Sequence, residues 1–101
     1  MPTAYVTAPP SAADDIASAL VEDRLAACVN RLECRSTYRW DGEVRRKEPE
    51  VLLLAKTTSE RYEALCERVV QLHPYDVPCI ERFDEAAVFE PYAEWVDDSV
   101  E

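Results

Sequence analysis

A chain of 101 residues, 48% apolar and 32% charged, has room for one compact domain with a modest core and is too apolar to stay unfolded. Its 21 acidic residues against 11 basic ones give a net charge of −10, a surface that repels phosphate backbones and argues against direct nucleic-acid binding. No stretch approaches the roughly 20 apolar residues of a membrane span, and MPTAYVTAPP lacks the basic-then-apolar pattern of an export signal, so a soluble cytoplasmic protein is expected.

The first element is a short buried strand, Thr3 to Ala8, ended by Pro9-Pro10. SAAD then reads as a capping box, with Ser11 as N-cap and Asp14 three residues on. Ala13, Ile16, Ala17 and Leu20 keep the spacing of one helical face, and the helix is expected to run to about Ala26. Cys28 to Trp40 is rich in β-formers. Asp41-Gly42, which holds the only glycine, is a strong hairpin turn. EVRRKEPEVLLLAKT returns as a second long strand, in which Pro49 implies a free edge or a bulge.

Tyr62, Leu65, Cys66 and Val69 mark a second amphipathic helix, closed by His73 before Pro74. VPCIERF is a fourth strand, and Pro91 suits the first turn of a final helix, PYAEWVDD. The order is that of a split βαβ unit: an α+β, ferredoxin-like βαββαβ sandwich with an extra C-terminal helix and a long hairpin between its second and third strands. Residues 1–101 form a single domain without linkers or repeats.

VLLLA, Val51 to Ala55, is apolar on both alternating faces, whereas a sheet with helices on one side should alternate. Either the terminal helix or another copy of the chain is expected to cover the second face. Cys28, Cys34, Cys66 and Cys79 form no C-x-x-C pair, so a structural zinc site and a disulfide framework are both disfavoured. Only Lys47 and Lys56 are lysines; acid excess with scarce lysine is similar to a halophile's cytosolic protein, where salt screens the self-repulsion.

The succession VTAP, LVEDRLAACVN, STYRWDGEV, EVLLLAKT, LHPYDVP and YAEWV resembles the CutA family of divalent-cation tolerance proteins. The resemblance runs from Val6 to Val96. It implies a ferredoxin-like fold assembled as a homotrimer through its long hairpins, and a response to divalent metal ions, copper above all. It implies no firmly assigned reaction and no organic cofactor, so the protein is not expected to be an enzyme. The trimer's likeness to PII proteins implies an alternative: a signalling or scaffold module binding a small effector in clefts between subunits. Cys28 matches a recurring family cysteine, but Val6 stands where a family cysteine is implicated in copper binding. Leu72 stands where some members have the first histidine of a pair, and Cys79 where many have glutamate.

His73, the only histidine, is the first candidate metal ligand, with Cys79 as its partner and Asp76 or Glu81 as helpers; imidazole with thiolate suits copper or zinc. Its other readings are a helix-end residue and a general acid or base. The last lacks a supporting Gly-rich phosphate loop or nucleophile elbow. Lys56, Tyr75, Asp76, Tyr38 and Trp40 are candidates for an intersubunit cleft beside His73, against a reading in which the aromatics, Trp95 among them, pack at subunit contacts. The many carboxylates would also bind hard divalent cations weakly and unselectively.

Overall fold

The computed structural model describes Met1–Glu101. The chain opens with β1 (Pro2–Ala8), one of the two central strands, followed by α1 (Pro10–Glu22), β2 (Cys28–Trp40), β3 (Glu43–Lys56), α2 (Ser59–Leu72), β4 (Ile80–Asp84) and α3 (Glu90–Ser99). The four strands make one antiparallel sheet in the order β2-β3-β1-β4. This is the ferredoxin-like arrangement expected, with the extra terminal helix.

The core lies on the face of the sheet that receives α1 and α2. Register pairs Ala4 with Ala55, Val6 with Leu53 and Ala8 with Val51, and all six side chains are buried. Five of the six are Ala or Val, which lets the helices come close. Ile16 and Leu20 of α1, with Leu65 and Val69 of α2, fill the space above them. Burying a Leu or Ile side chain in this way stabilises the fold by about 1.5–3 kcal/mol each.

Both ends of α1 differ from expectation. The helix starts at Pro10, not after Ser11. Pro9 is the N-cap, and no side chain caps the helix. Pro10 has no N–H to satisfy and its φ is already helical, while the Pro9 carbonyl accepts from Ala12 and Ala13 at 3.0 and 3.2 Å. Asp14 instead pairs with Arg31 of β2. The helix stops at Glu22, short of Ala26, because Arg24 turns left-handed at φ 58°. The Leu25 amide then reaches back to the Leu20 carbonyl at 2.9 Å, and the Arg24 amide to that of Val21 at 3.1 Å. These two bonds are those of a Schellman closure. β4 also starts later than VPCIERF suggested, at Ile80: Pro78 offers no ladder donor.

β3 has 14 residues and β1 only 7. Ala8 opposite Val51 is their last pair, so Glu43–Glu50 has β2 on one side and a free edge on the other. Pro49 sits on that edge. Beside it the register shifts: Ser36 faces Glu48 and Tyr38 faces Arg45, leaving Thr37 opposite both Arg46 and Lys47. Lys47 takes φ 53° at this bulge. Pro49 thus marks both of the features it could have signalled.

The second face of the sheet carries Tyr5, Leu32, Leu52, Leu54 and Phe83, and the Tyr5 and Phe83 rings lie 5.3 Å apart. α3 does not close this face: Leu32 is 49% and Phe83 48% exposed.

At the hairpin tip, Asp41 and Gly42 have φ of 53° and 79°, as a two-residue type I′ turn requires. A Cβ on Gly42 would meet no neighbouring atom, so substitution there carries only the left-handed backbone penalty. Gly42→Ala is therefore expected to lower stability by about 1 kcal/mol in urea unfolding, and Gly42→Asn by less.

Candidate functional site

Where β3 runs past the end of β1, the loop from Pro74 to Cys79 fills in beside its free edge. A cavity of about 640 Å³ opens between loop and hairpin. Tyr38, Trp40, Arg45 and Glu50 form the hairpin wall; Tyr75, Asp76 and Cys79 form the loop wall, and Thr7 the floor.

His73 is 7% exposed and holds the loop in place. It is the C-cap of α2, its amide donating to the Val69 carbonyl at 2.8 Å. The ring continues the connection. Nδ1 accepts the Tyr75 amide at 3.1 Å, which leaves the proton on Nε2, and Nε2 donates to the Thr7 carbonyl at 2.8 Å. One neutral imidazole thus ties together the end of α2, the turn into the loop and the last residues of β1. The Tyr75 ring stacks obliquely on it at 4.8 Å.

This geometry bears directly on the metal expectation. Both ring nitrogens of His73 are committed to the backbone, so a cation could reach either one only by displacing a hydrogen bond. Cys79 flanks the same stretch of β1, its carbonyl accepting the Thr7 amide at 3.4 Å. Its thiol lies 3.5 Å from a carboxylate oxygen of Glu81. Burial pushes the thiol pKa up, a hydrogen bond from Thr7 pulls it back, and the Glu81 carboxylate raises it again. Within one chain, no three His, Cys, Asp or Glu side chains converge as a set of ligands. The residues of a single subunit do not by themselves fit a closed copper or zinc site, which needs at least three protein donors.

Of the five cleft candidates, Tyr38, Trp40, Tyr75 and Asp76 do line the cavity. Lys56 does not. It ends β3, six residues from Glu50, or about 20 Å along an extended strand, and its ammonium donates to Asn30 Oδ1 at 2.5 Å. An apolar strand ending in lysine suggested a cleft, but in the register Lys56 faces Cys28 and Thr3 at the far end of the sheet.

Glu50 and Arg45 went unmarked in the sequence. Glu50 is only 7% exposed, forms no ion pair, and meets the Tyr75 hydroxyl at 3.5 Å. Burial, and then the Glu50 charge, push the Tyr75 phenol above its ordinary pKa, so the hydroxyl stays a donor. A signal for Glu50 was present: the alternation that puts Leu52 and Leu54 on the second face puts Glu50 there too, an acid in an otherwise apolar row.

Residues 3–99 match the family model described as CutA1 divalent ion tolerance protein. The divalent-cation tolerance protein CutA of Thermus thermophilus is 50% identical over 82 residues, covering 80% of this chain and 79% of that protein. Its counterpart in Pyrococcus horikoshii is 40% identical over 93 residues, covering 91% and 90%. Among solved structures, the PII-like protein CutA from Nostoc sp. PCC 7120 in apo form superposes with a TM-score of 0.95 at 34% identity, over 100% of this chain and 98% of that one. The periplasmic divalent cation tolerance protein CutA from Archaeoglobus fulgidus gives 0.94 at 33%, over 100% of both chains.

The imidazole strut makes a mutational prediction. His73→Ala removes two buried hydrogen bonds and leaves the Thr7 carbonyl without its partner, a loss of about 1–3 kcal/mol. Chemical denaturation should show that loss, and amide exchange should speed up at Tyr75, in the loop, before it does in the sheet.

Proposed function

Because the chain belongs to the CutA1 family of divalent ion tolerance proteins, we propose that it serves tolerance to divalent metal cations by binding them, copper among them, and that it catalyses no reaction. The observation that carries this reading is the family match over residues 3–99, which takes in the helices, the hairpin and the His73 loop alike.

The donors best placed for a soft cation are the Cys79 thiol and the Glu81 carboxylate beside it. His73 joins them only if its ring gives up the Thr7 carbonyl. Two protein donors leave the coordination to be completed by water or by another subunit, so binding is expected to be weaker than at a closed site. Copper titration followed by calorimetry tests this. Cys79→Ser should weaken uptake about tenfold or more, and Glu81→Gln should weaken it less. If neither variant changes the binding, the cation is held elsewhere and this assignment fails.

The assembly we propose is a homotrimer. The second sheet face supports it, because Tyr5, Leu32, Leu52, Leu54 and Phe83 form an apolar row that α3 leaves partly open. The free edge of Glu43–Glu50 adds unpaired backbone groups that a neighbouring hairpin can satisfy. Light scattering on the eluting protein should give three times the 11.5 kDa chain mass. Leu52→Asp, placed on that row, should shift the mass toward that of a single chain.

The location proposed with this reading is the cytoplasm. A halophilic setting follows from the charge of −10 per chain. Screening shortens from about 30 Å at 0.01 M salt to about 3 Å at 1 M, so the melting midpoint should rise with KCl across that range. A flat profile would count against the halophilic setting.

The PII-like alternative, an effector module, is favoured by one observation: the cavity between hairpin and loop is large enough for a small molecule.

A further inference from the structure

Glu50 is a buried carboxylate without a basic partner in its own chain. It is 7% exposed, and only the Tyr75 hydroxyl approaches it, at 3.5 Å. None of the chain's ion pairs includes it. A buried charge is costly unless it is paired. In a chain at −10 the bases are few, yet five of the 11 lie between Arg35 and Lys47, in the arm formed by the ends of β2 and β3, against only two acids there. These five enter no ion pair either.

Register keeps the acid and the bases of one chain apart. Glu50 is opposite Cys34 and Arg45 is opposite Tyr38, so both side chains lie on the face that carries Leu32, Leu52 and Leu54. Four residues of β2 separate them, about 13 Å along the strand. The face is thus divided along its length. Its body end is apolar with one acid. Its arm end presents Arg45 with Tyr38 and Trp40, the residue types in which interface anchors are enriched. Two unlike halves on one face suit a head-to-tail contact, the kind from which closed rings are built. The half of β3 that β1 leaves unpaired, Glu43–Glu50, spans about 26 Å by strand rise. The molecule is 26 Å wide, so such an arm is long enough to cross a neighbouring copy. Resting on the homotrimer reading, we propose that the arm of each subunit lies over the body end of the next, and that the partner's Arg45 enters the cavity beside Tyr75 and forms a charge-assisted pair with Glu50.

Charge reversal in two separate chains tests the pair. Mass is read by light scattering on the eluting protein, at a concentration where the wild type has the mass of three chains. Arg45→Glu and Glu50→Arg each set like charges against one another at every contact. Each alone should elute at lower mass, with dissociation made about tenfold easier or more. In a ring assembled from the two variants mixed, two of the three contacts again join opposite charges, so mass should be regained in part. A pair formed within one chain would give no such rescue. Full assembly of Arg45→Glu alone overturns the proposal, as does a mixture that regains no mass. Should Glu50→Arg fail to fold, Arg45→Gln, Glu50→Gln and the double variant take its place. Arg45→Gln should weaken assembly, and Glu50→Gln in the same chain should cancel most of that loss; additive losses overturn the pairing. A wild type that elutes as a single chain overturns the homotrimer and this contact together, whereas a trimeric wild type with Arg45→Glu unaffected overturns the contact alone.

Discussion

A strand of 14 residues paired with one of 7 cannot be satisfied along its whole length, and that mismatch between β3 and β1 shapes the rest of the molecule. The matched half builds the core: Val51, Leu53 and Ala55 lie against Ala8, Val6 and Ala4, with both long helices above them. The unmatched half has only β2 for support and projects as a hairpin. Its free edge tolerates Pro49, which a strand paired on both sides would not. The cavity exists because the loop after α2 must fill the space that β1 vacates. His73 is the fastener that makes the filling stable, since its ring reaches both the loop and the last residues of β1.

The electrostatic pattern follows the same division. Around the matched sheet the charges are on the outside and partly paired, as between Arg31 and Asp14 or Arg68 and Asp23. Such exposed pairs contribute little each. Around the unmatched half the acids are less well served. Glu50 is buried beside a phenol whose own ionisation is suppressed, and Asp76 lies across the cavity. In a chain at −10, Glu50 is a carboxylate that the fold buries with a phenol, and no base, for a neighbour.

The fold was legible in the sequence because its strongest signals are local. Asp41-Gly42 needs no tertiary context to make a turn, and Ile16 and Leu20 show their helical face by spacing alone. The starts and stops were harder. Pro10 displaced Ser11 as the point where α1 begins, since a proline at the first helical position removes a donor that a cap would have to satisfy. Arg24 ended the same helix in a left-handed conformation that nothing in its side chain announces. Tyr38, Trp40, Tyr75 and Asp76 flank turns that the sequence shows, and all four line the cavity of the single chain. Lys56 lies at the other end of β3 and Glu50 is unmarked in the sequence for one reason: which end of a long strand meets which loop depends on strand register, and register is a property of the pairing. The role of His73 was hidden in the same way, for its partner is a backbone carbonyl, and a carbonyl has no identity in a sequence.

The bulge at Thr37 acts on the hairpin as a frame-shift acts on a message. Along β2 the side chains keep step from Ser36 to Tyr38 to Trp40, but on β3 the extra residue resets the alternation. Arg45, rather than Arg46 or Val44, therefore falls on the same side as Tyr38 and Glu50. Removing one residue from the Arg46-Lys47 pair would restore a continuous ladder and leave Arg45 opposite Tyr38, but it would take away the bend and extra twist that the bulge gives the arm. The extra residue is thus a shim in one rail of the arm: it sets the tilt of the hairpin over the loop, while the ladder on either side of it decides which side chains face inward.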